Sequence, residues 1–279
     1  MAKQQLSPRI TYPALAAVFD AAAPQLEALA KDRDFQAAFK AFDVDAAGDA
    51  FNAFTRSISA YNAAHRRERR LWSLKIGRGR IPSDLESDFV GEIPAMRRNY
   101  QEGFAAVNKV LDTLTRAKFD KVVEKHLAPL TANLGNDRHP LTQVVTRYFQ
   151  QVGCAPEMIS EFRRNFEVTG YDLLAPAGGK FSRLKALTAE GVKAQTEIMD
   201  YTEKEGFNYL RGRCGPPSWA VAVAKILASI GISISAWVVV AIIVVLFATL
   251  LVICNASNPG TWLRTQCEKV NAKFPIFNF

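Results

Sequence analysis

The sequence predicts an all-α protein: a multi-helix soluble bundle followed by a carboxy-terminal transmembrane helix with an apolar lead-in segment. Three observations carry this prediction. Apolar residues recur at intervals of three and four through most of residues 1–213. Strand-like alternation is absent, and no internal repeat is evident. Near the carboxy terminus, Ala236–Cys254 (AWVVVAIIVVLFATLLVIC) holds no ionisable group except its final thiol.

Taken in order, the first helical stripe is Leu15, Phe19, Ala22, Leu26 and Leu29, with Pro24 as a break or kink because it lacks a backbone donor. Phe35, Phe39 and Phe42 follow at helical spacing. Phe51, Phe54, Ile58 and Tyr61 step by 3, 4 and 3, and His65 extends that stripe as a packed side chain rather than a base. A sub-boundary falls within 77–93. Tyr100, Phe104, Val107, Leu111 and Leu114 alternate four and three like a coiled-coil seam. Lys118 breaks that seam, and Phe119, Val122 and Leu127 continue on a shifted stripe. Leu141, Val145, Tyr148 and Val152 form the next helix, then Ile159, Phe162 and Phe166, and a last amphipathic helix runs from about Phe181 to Leu210. Pro94, Pro140 and Pro156 stand where helices begin, and Gly170 and Gly178-Gly179 lie in breaks. The 213 residues before Cys214 suffice for one helical core or two small ones.

Residues 214–235 are the lead-in. Trp219–Ser235 has seven Val, Ile or Leu residues, worth about 2–4 kcal/mol of insertion energy, against about 2.5–3.5 kcal/mol for Lys225 at a bilayer centre. The terms nearly cancel, so this segment is expected at the interface, with a hairpin bent around Gly231–Ser235 as the alternative. Ala220, Ala224 and Ala228 are spaced four apart, as are Gly231 and Ser235, a pattern that suits close helix association and self-assembly within a membrane.

Ala236–Cys254 is the expected span. Its nineteen residues cover about 28 Å at 1.5 Å per residue. Thirteen are Val, Ile, Leu or Phe, favouring the membrane by about 4–8 kcal/mol. The alternative is a buried core helix, which normally shows a polar stripe or is shorter. Residues 255–279 form a short aromatic and basic tail with Trp262, Phe274, Phe277 and Phe279 beside Arg264, Lys269 and Lys273. The amino terminus lacks the apolar core of a signal peptide, so the expectation is a tail-anchored, single-pass protein with residues 1–213 in the cytosol and the tail on the opposite side.

Four cysteines (Cys154, Cys214, Cys254, Cys267) form no CxxC pair and have no histidine at metal-ligand spacing. Cys254 and Cys267 share one side under this topology and can form a disulfide if that space is oxidising; Cys214 and Cys254 pair instead under the hairpin, and four free thiols or a lipidated juxtamembrane cysteine are the remaining alternatives. Asn255-Ala256-Ser257 matches a glycosylation acceptor but abuts the expected span.

Lysine and arginine total 35 against 27 acids, a formal net charge of +8. The excess concentrates in residues 65–80, HRRERRLWSLKIGRGR. Arg66, Arg67, Arg69, Arg70, Lys75, Arg78 and Arg80, interleaved with Trp72 and aliphatics, suit an anionic membrane surface. Nucleic acid fits less well, and a solvated helix end with Trp72 turned inward is the bland alternative.

No motif for chemistry is complete in this sequence. The stretch from Asp43 to Gly48 resembles a calcium loop, but Ala47 and Phe54 occupy two positions that need oxygen ligands, so Asp45 and Asp49 read as helix caps. Gly178-Gly179-Lys180 lacks the earlier glycine of a phosphate loop, where Leu174 stands. No catalytic, cofactor-binding or metal-binding residues are assigned, and His126 and His139 have no partner constellation.

Two functions remain. The favoured one is a non-enzymatic helical interaction protein, anchored in a bilayer and binding a protein partner at its surface. The other is a membrane-active pore-forming toxin, or the precursor of a membrane-permeabilising peptide severed near Arg211–Pro217, where basic residues and prolines precede the acid-free stretch.

Overall fold

A computed structural model describes residues 28–78, 82–122, 125, 140–156, 159–160, 180–205, 236–248, 250 and 262–273. The protein is all-α, with no strand among the described residues. Ala220, Ala224, Ala228, Gly231, Ser235, Cys254 and Arg80 lie outside the described residues, as do the side chains of Trp72, Lys75, Arg78 and Cys267.

Helix α1 (Arg33–Ala41) opens on Asp32, whose Oδ1 accepts the N–H groups of Asp34 at 2.9 Å and Phe35 at 3.0 Å. Two of the donors orphaned at the helix start are thus satisfied. Helix α2 (Val44–Arg78) is capped by Asp43, whose Oδ1 accepts the Ala46 N–H at 2.9 Å. The expectation that Asp45 and Asp49 cap this helix is corrected. A cap must precede the first turn, and both carboxylates lie within the helix, near Lys273.

Helix α3 (Ser83–Arg116) runs through Pro94, which therefore does not begin a helix. An internal proline costs roughly 3 kcal/mol. Its neighbours Ile93 and Met96 are 1% and 2% exposed, and each contributes about 1.5–3 kcal/mol by burial, enough to hold the helix together. The break expected at Lys118 is present: α3 ends at Arg116 with Ala117 as its cap, and Lys118 adopts a left-handed φ of 60°. Then come a single turn, α4 (Phe119–Val122), α5 (Pro140–Gln151) starting on its proline as expected, and α6 (Lys180–Glu205).

These helices pack as the stripes require. α2 and α3 form an antiparallel pair: Tyr61 meets Tyr100 at 4.7 Å between ring centroids, and Phe54 meets Phe104 at 5.6 Å. α6 lies antiparallel on α3, tied by Lys185 to Asp112 at one end and by Arg97 to Asp200 (2.7 Å) and Glu203 at the other. α5 runs alongside α2 in the same direction. The Thr55 and Tyr148 hydroxyls lie 3.0 Å apart, and Asn62 Nδ2 donates to the Val152 carbonyl at 2.8 Å.

The centre of this bundle is occupied by α7, residues 236–248. Hydropathy predicts lipid around this segment; here protein surrounds it. Each of its residues, and Leu250 beyond it, is 5% exposed or less. A helix with no polar stripe suits any environment that is apolar on all sides, and the interior of a bundle meets that requirement as well as a bilayer does. Among the described residues, no helix is long and apolar enough to cross a membrane. The last element, α8 (Trp262–Lys273), returns to the start of α2.

Candidate functional site

The amphipathic helices turn their aromatic stripes onto α7. Trp237, at its start, sits in a box of Phe54 (6.4 Å), Phe104 (5.8 Å) and Phe149 (5.3 Å), all three edge-on. Near its end Phe247 meets Phe51 at 5.7 Å and Phe42 at 6.2 Å. Edge-to-face pairs add roughly 0.5–1.5 kcal/mol beyond burial. The stripes read from sequence as core positions are therefore the walls of a sheath, and α7 is what it encloses.

A second contact closes the sheath from outside. At Gly48, α8 approaches so closely that a Cβ would stand 2.6 Å from the Cβ of Lys273. The Lys273 carbonyl accepts from Asn52 Nδ2 at 2.9 Å, and its ammonium reaches Asp45 at 3.2 Å and Asp49 at 3.4 Å. These bonds to the carboxylates raise the Lys273 pKa above its ordinary value. Val270 of α8 is fully buried. The helix that follows the apolar segment in the chain is thus fastened to the start of α2. Gly48 was not distinguishable in the sequence, since Gly91 also stands inside a helix and a Cβ there would meet nothing within 4 Å.

On the far end of α2, four of the basic residues expected at a membrane surface come together. Arg66, Arg67, Arg69 and Arg70 line one groove of about 760 Å³ with Ala63 and with Cys154, Ala155 and Pro156 from the turn after α5. Arg66 Nη1 donates to the Gly153 carbonyl at 2.9 Å. Gly153 has a φ of 81°, a left-handed conformation that favours glycine, and a Cβ there would fall 2.2 Å from that same nitrogen and displace the arginine's tip. Arg67 holds Glu92 through Nε at 3.0 Å and Nη2 at 2.5 Å. The nearby Glu68 is engaged by His65 Nδ1 at 2.8 Å, and the His65 ring stacks on Tyr61, the packed placement expected of it. Glu92 was not foreseen, because nothing in its local sequence marks it as a partner for a residue 25 positions earlier.

Cys154 faces this cluster but is a packed thiol. Burial pushes its pKa well up, and the Asn62 hydrogen bond and the Arg66 charge lower it only in part. Burial likewise raises the phenols of Tyr61 and Tyr148. A group whose pKa is higher folded than unfolded supplies stability that is complete below its unfolded pKa and lost as pH rises toward the folded one. Unfolding by denaturant at stepped pH is therefore expected to show stability falling above pH 9–10, the ordinary thiol and phenol values of 9.0 and 10.0. Cys154→Ala should remove the earliest part of that fall. Among the described residues, no three His, Cys, Asp or Glu side chains gather as a metal site. No protein-family model, no curated protein and no solved structure matches this chain.

Proposed function

We propose that this chain is a membrane-active, pore-forming protein that stores its membrane-inserting helix inside a water-soluble bundle. The observation that carries the reading is α7: a helix apolar on every face, at the centre of helices that are apolar on one face only. Nine of its buried residues, and Leu250 just beyond it, are Val, Ile, Leu or Phe, and exposing these ten to water would cost about 15–30 kcal/mol at 1.5–3 kcal/mol each. Lipid chains are as apolar as the bundle interior, so transfer from sheath to bilayer avoids most of that cost. The sequence 236–254 is long enough for the crossing, about 28 Å. Basic residues at one end of α2 would bring the bundle to an anionic bilayer first.

The permanently anchored scaffold uses the same segment differently, because its α7 would reside in lipid from the outset. Sheathing of α7 by five phenylalanines from α2, α3, α5 and the α1–α2 junction favours storage over permanent anchoring. The test uses the full chain with Trp72, Trp219 and Trp262 replaced by Phe, leaving Trp237 as the sole reporter. Added to anionic vesicles containing brominated lipid chains and a trapped dye, it should release the dye while Trp237 fluorescence is quenched. Vesicle-bound protein with Trp237 unquenched and the dye retained would refute the storage mechanism.

A further inference from the structure

We propose that the arginine groove is a binding site for a ligand bearing more than one phosphate monoester group, such as a polyphosphorylated lipid headgroup. The inference rests on the membrane reading above and adds a ligand class to it. Its starting point is the side-chain chemistry of the groove. Arg66, Arg67, Arg69 and Arg70 line a single concavity whose other lining residues, among the described residues, carry no acid. Arg66, Arg67 and Arg70 are exposed and Arg69 is half-buried, so the forks are open to a ligand from solvent. The turn at Gly153 accepts a hydrogen bond from Arg66 and brings Cys154, Ala155 and Pro156 against the arginines as the second wall of the groove.

Two features select phosphate over a dispersed carboxylate surface. Guanidinium groups present planar forks that match two oxygens of one phosphate, and such charge-assisted bidentate pairs are stronger than point-charge contacts. A volume of about 760 Å³ is also far larger than one anion needs and lies within the range of small-molecule sites. The arginines are differently committed. Arg66 gives one nitrogen to Gly153 and keeps the others, whereas Arg67 is partly neutralised by Glu92. Arg70 is exposed and pairs with no acid among the described residues, so it is the most available fork. Glu92, 38% exposed at the edge, competes with the ligand for Arg67.

The experiment measures binding of the full chain in three arms: phosphatidylcholine vesicles carrying phosphatidylinositol bisphosphate, vesicles carrying phosphatidylserine at matched surface potential, and soluble inositol trisphosphate. The groove should give about tenfold or more tighter binding to the bisphosphate vesicles than to the serine vesicles, a difference of about 1.4 kcal/mol. Arg70→Gln should erase that preference, Arg70→Lys should restore it only partly, and Glu92→Gln should strengthen binding. Arg98→Gln, an exposed arginine of α3 outside the groove, should leave the preference intact. Tight inositol trisphosphate binding without vesicle preference would keep the phosphate chemistry and assign the ligand to the soluble pool. Equal binding to both vesicle types, with Arg70→Gln and Arg98→Gln indistinguishable, would overturn the site. The two proposals fail separately: phosphate preference without dye release sinks pore formation alone, and dye release without preference sinks the groove alone.

Discussion

Phe54→Ala is expected to destabilise the folded bundle by about 3–5 kcal/mol and to accelerate dye release from vesicles. Phe54 is fully buried and lies where the α2 stripe, Phe104 and Trp237 converge, with centroids 5.6 and 6.4 Å away. Truncating a core phenylalanine removes transfer energy and leaves a void that its neighbours fill only in part, which sets the size of the loss. The direction of the second effect separates the functional readings. Phe54 belongs to the sheath and not to the inserting helix, so its loss raises the energy of the stored state while leaving α7 unchanged. The barrier to release then falls. Denaturant unfolding reports the first effect, and initial dye-release rates report the second. If the variant is less stable yet releases dye no faster than the parent, opening of the sheath does not limit insertion and the storage mechanism fails.

Gly48→Leu is expected to pry α8 from α2, with a loss of about 2–4 kcal/mol. Even the first atom of the new side chain would meet the Lys273 Cβ at 2.6 Å, and that atom is fixed to the backbone of α8. The helix must shift, exposing Val270 and breaking the Asn52 hydrogen bond. Burial of a valine contributes about 1.5–3 kcal/mol and a hydrogen bond about 0.5–1.5, while replacing a helix-interior glycine returns roughly 0.5–1. The loss wins. Lys273→Ala keeps the Cβ and removes only exposed ion pairs, so its effect should be much smaller. Hydrogen exchange should show amides of α8 losing protection in Gly48→Leu and keeping it in Lys273→Ala. Because α8 is the described helix that comes after the apolar segment in the chain, Gly48→Leu should also release dye faster than the parent.

Much of the scaffold was readable in advance, for local reasons. The stripes from Phe35, Phe51 and Tyr100 onward each mark a helix with one apolar face, and the core contains their members, as it contains Val145, Tyr148 and Val152 of the next stripe. The breaks at Lys118 and Pro140 also fall where the pattern slips or a residue cannot continue a helix. Pro94 and the α2 cap were misread, because a proline tolerated by flanking burial and a cap shifted by two residues leave the same local pattern. In the groove, the cluster of arginines was legible but its shape was not. Gly153, Glu92 and the Cys154 turn reach it from other helices, and chain spacing carries no record of such meetings.

The sequence by itself determined that this chain is helical, that its basic charge concentrates between residues 65 and 80, and that residues 236–254 cannot face water. Those properties follow from periodicity, composition and transfer energy, which act on neighbours along the chain. Only the tertiary structure decided what surrounds the apolar helix. Water exclusion is satisfied equally by hydrocarbon and by a ring of phenylalanines, and the five that enclose Trp237 and Phe247 come from Phe42, Phe51, Phe54, Phe104 and Phe149, spread over a hundred residues of the chain. Burial energy depends on which surfaces meet, and that is set by packing between distant segments rather than by the apolar segment itself.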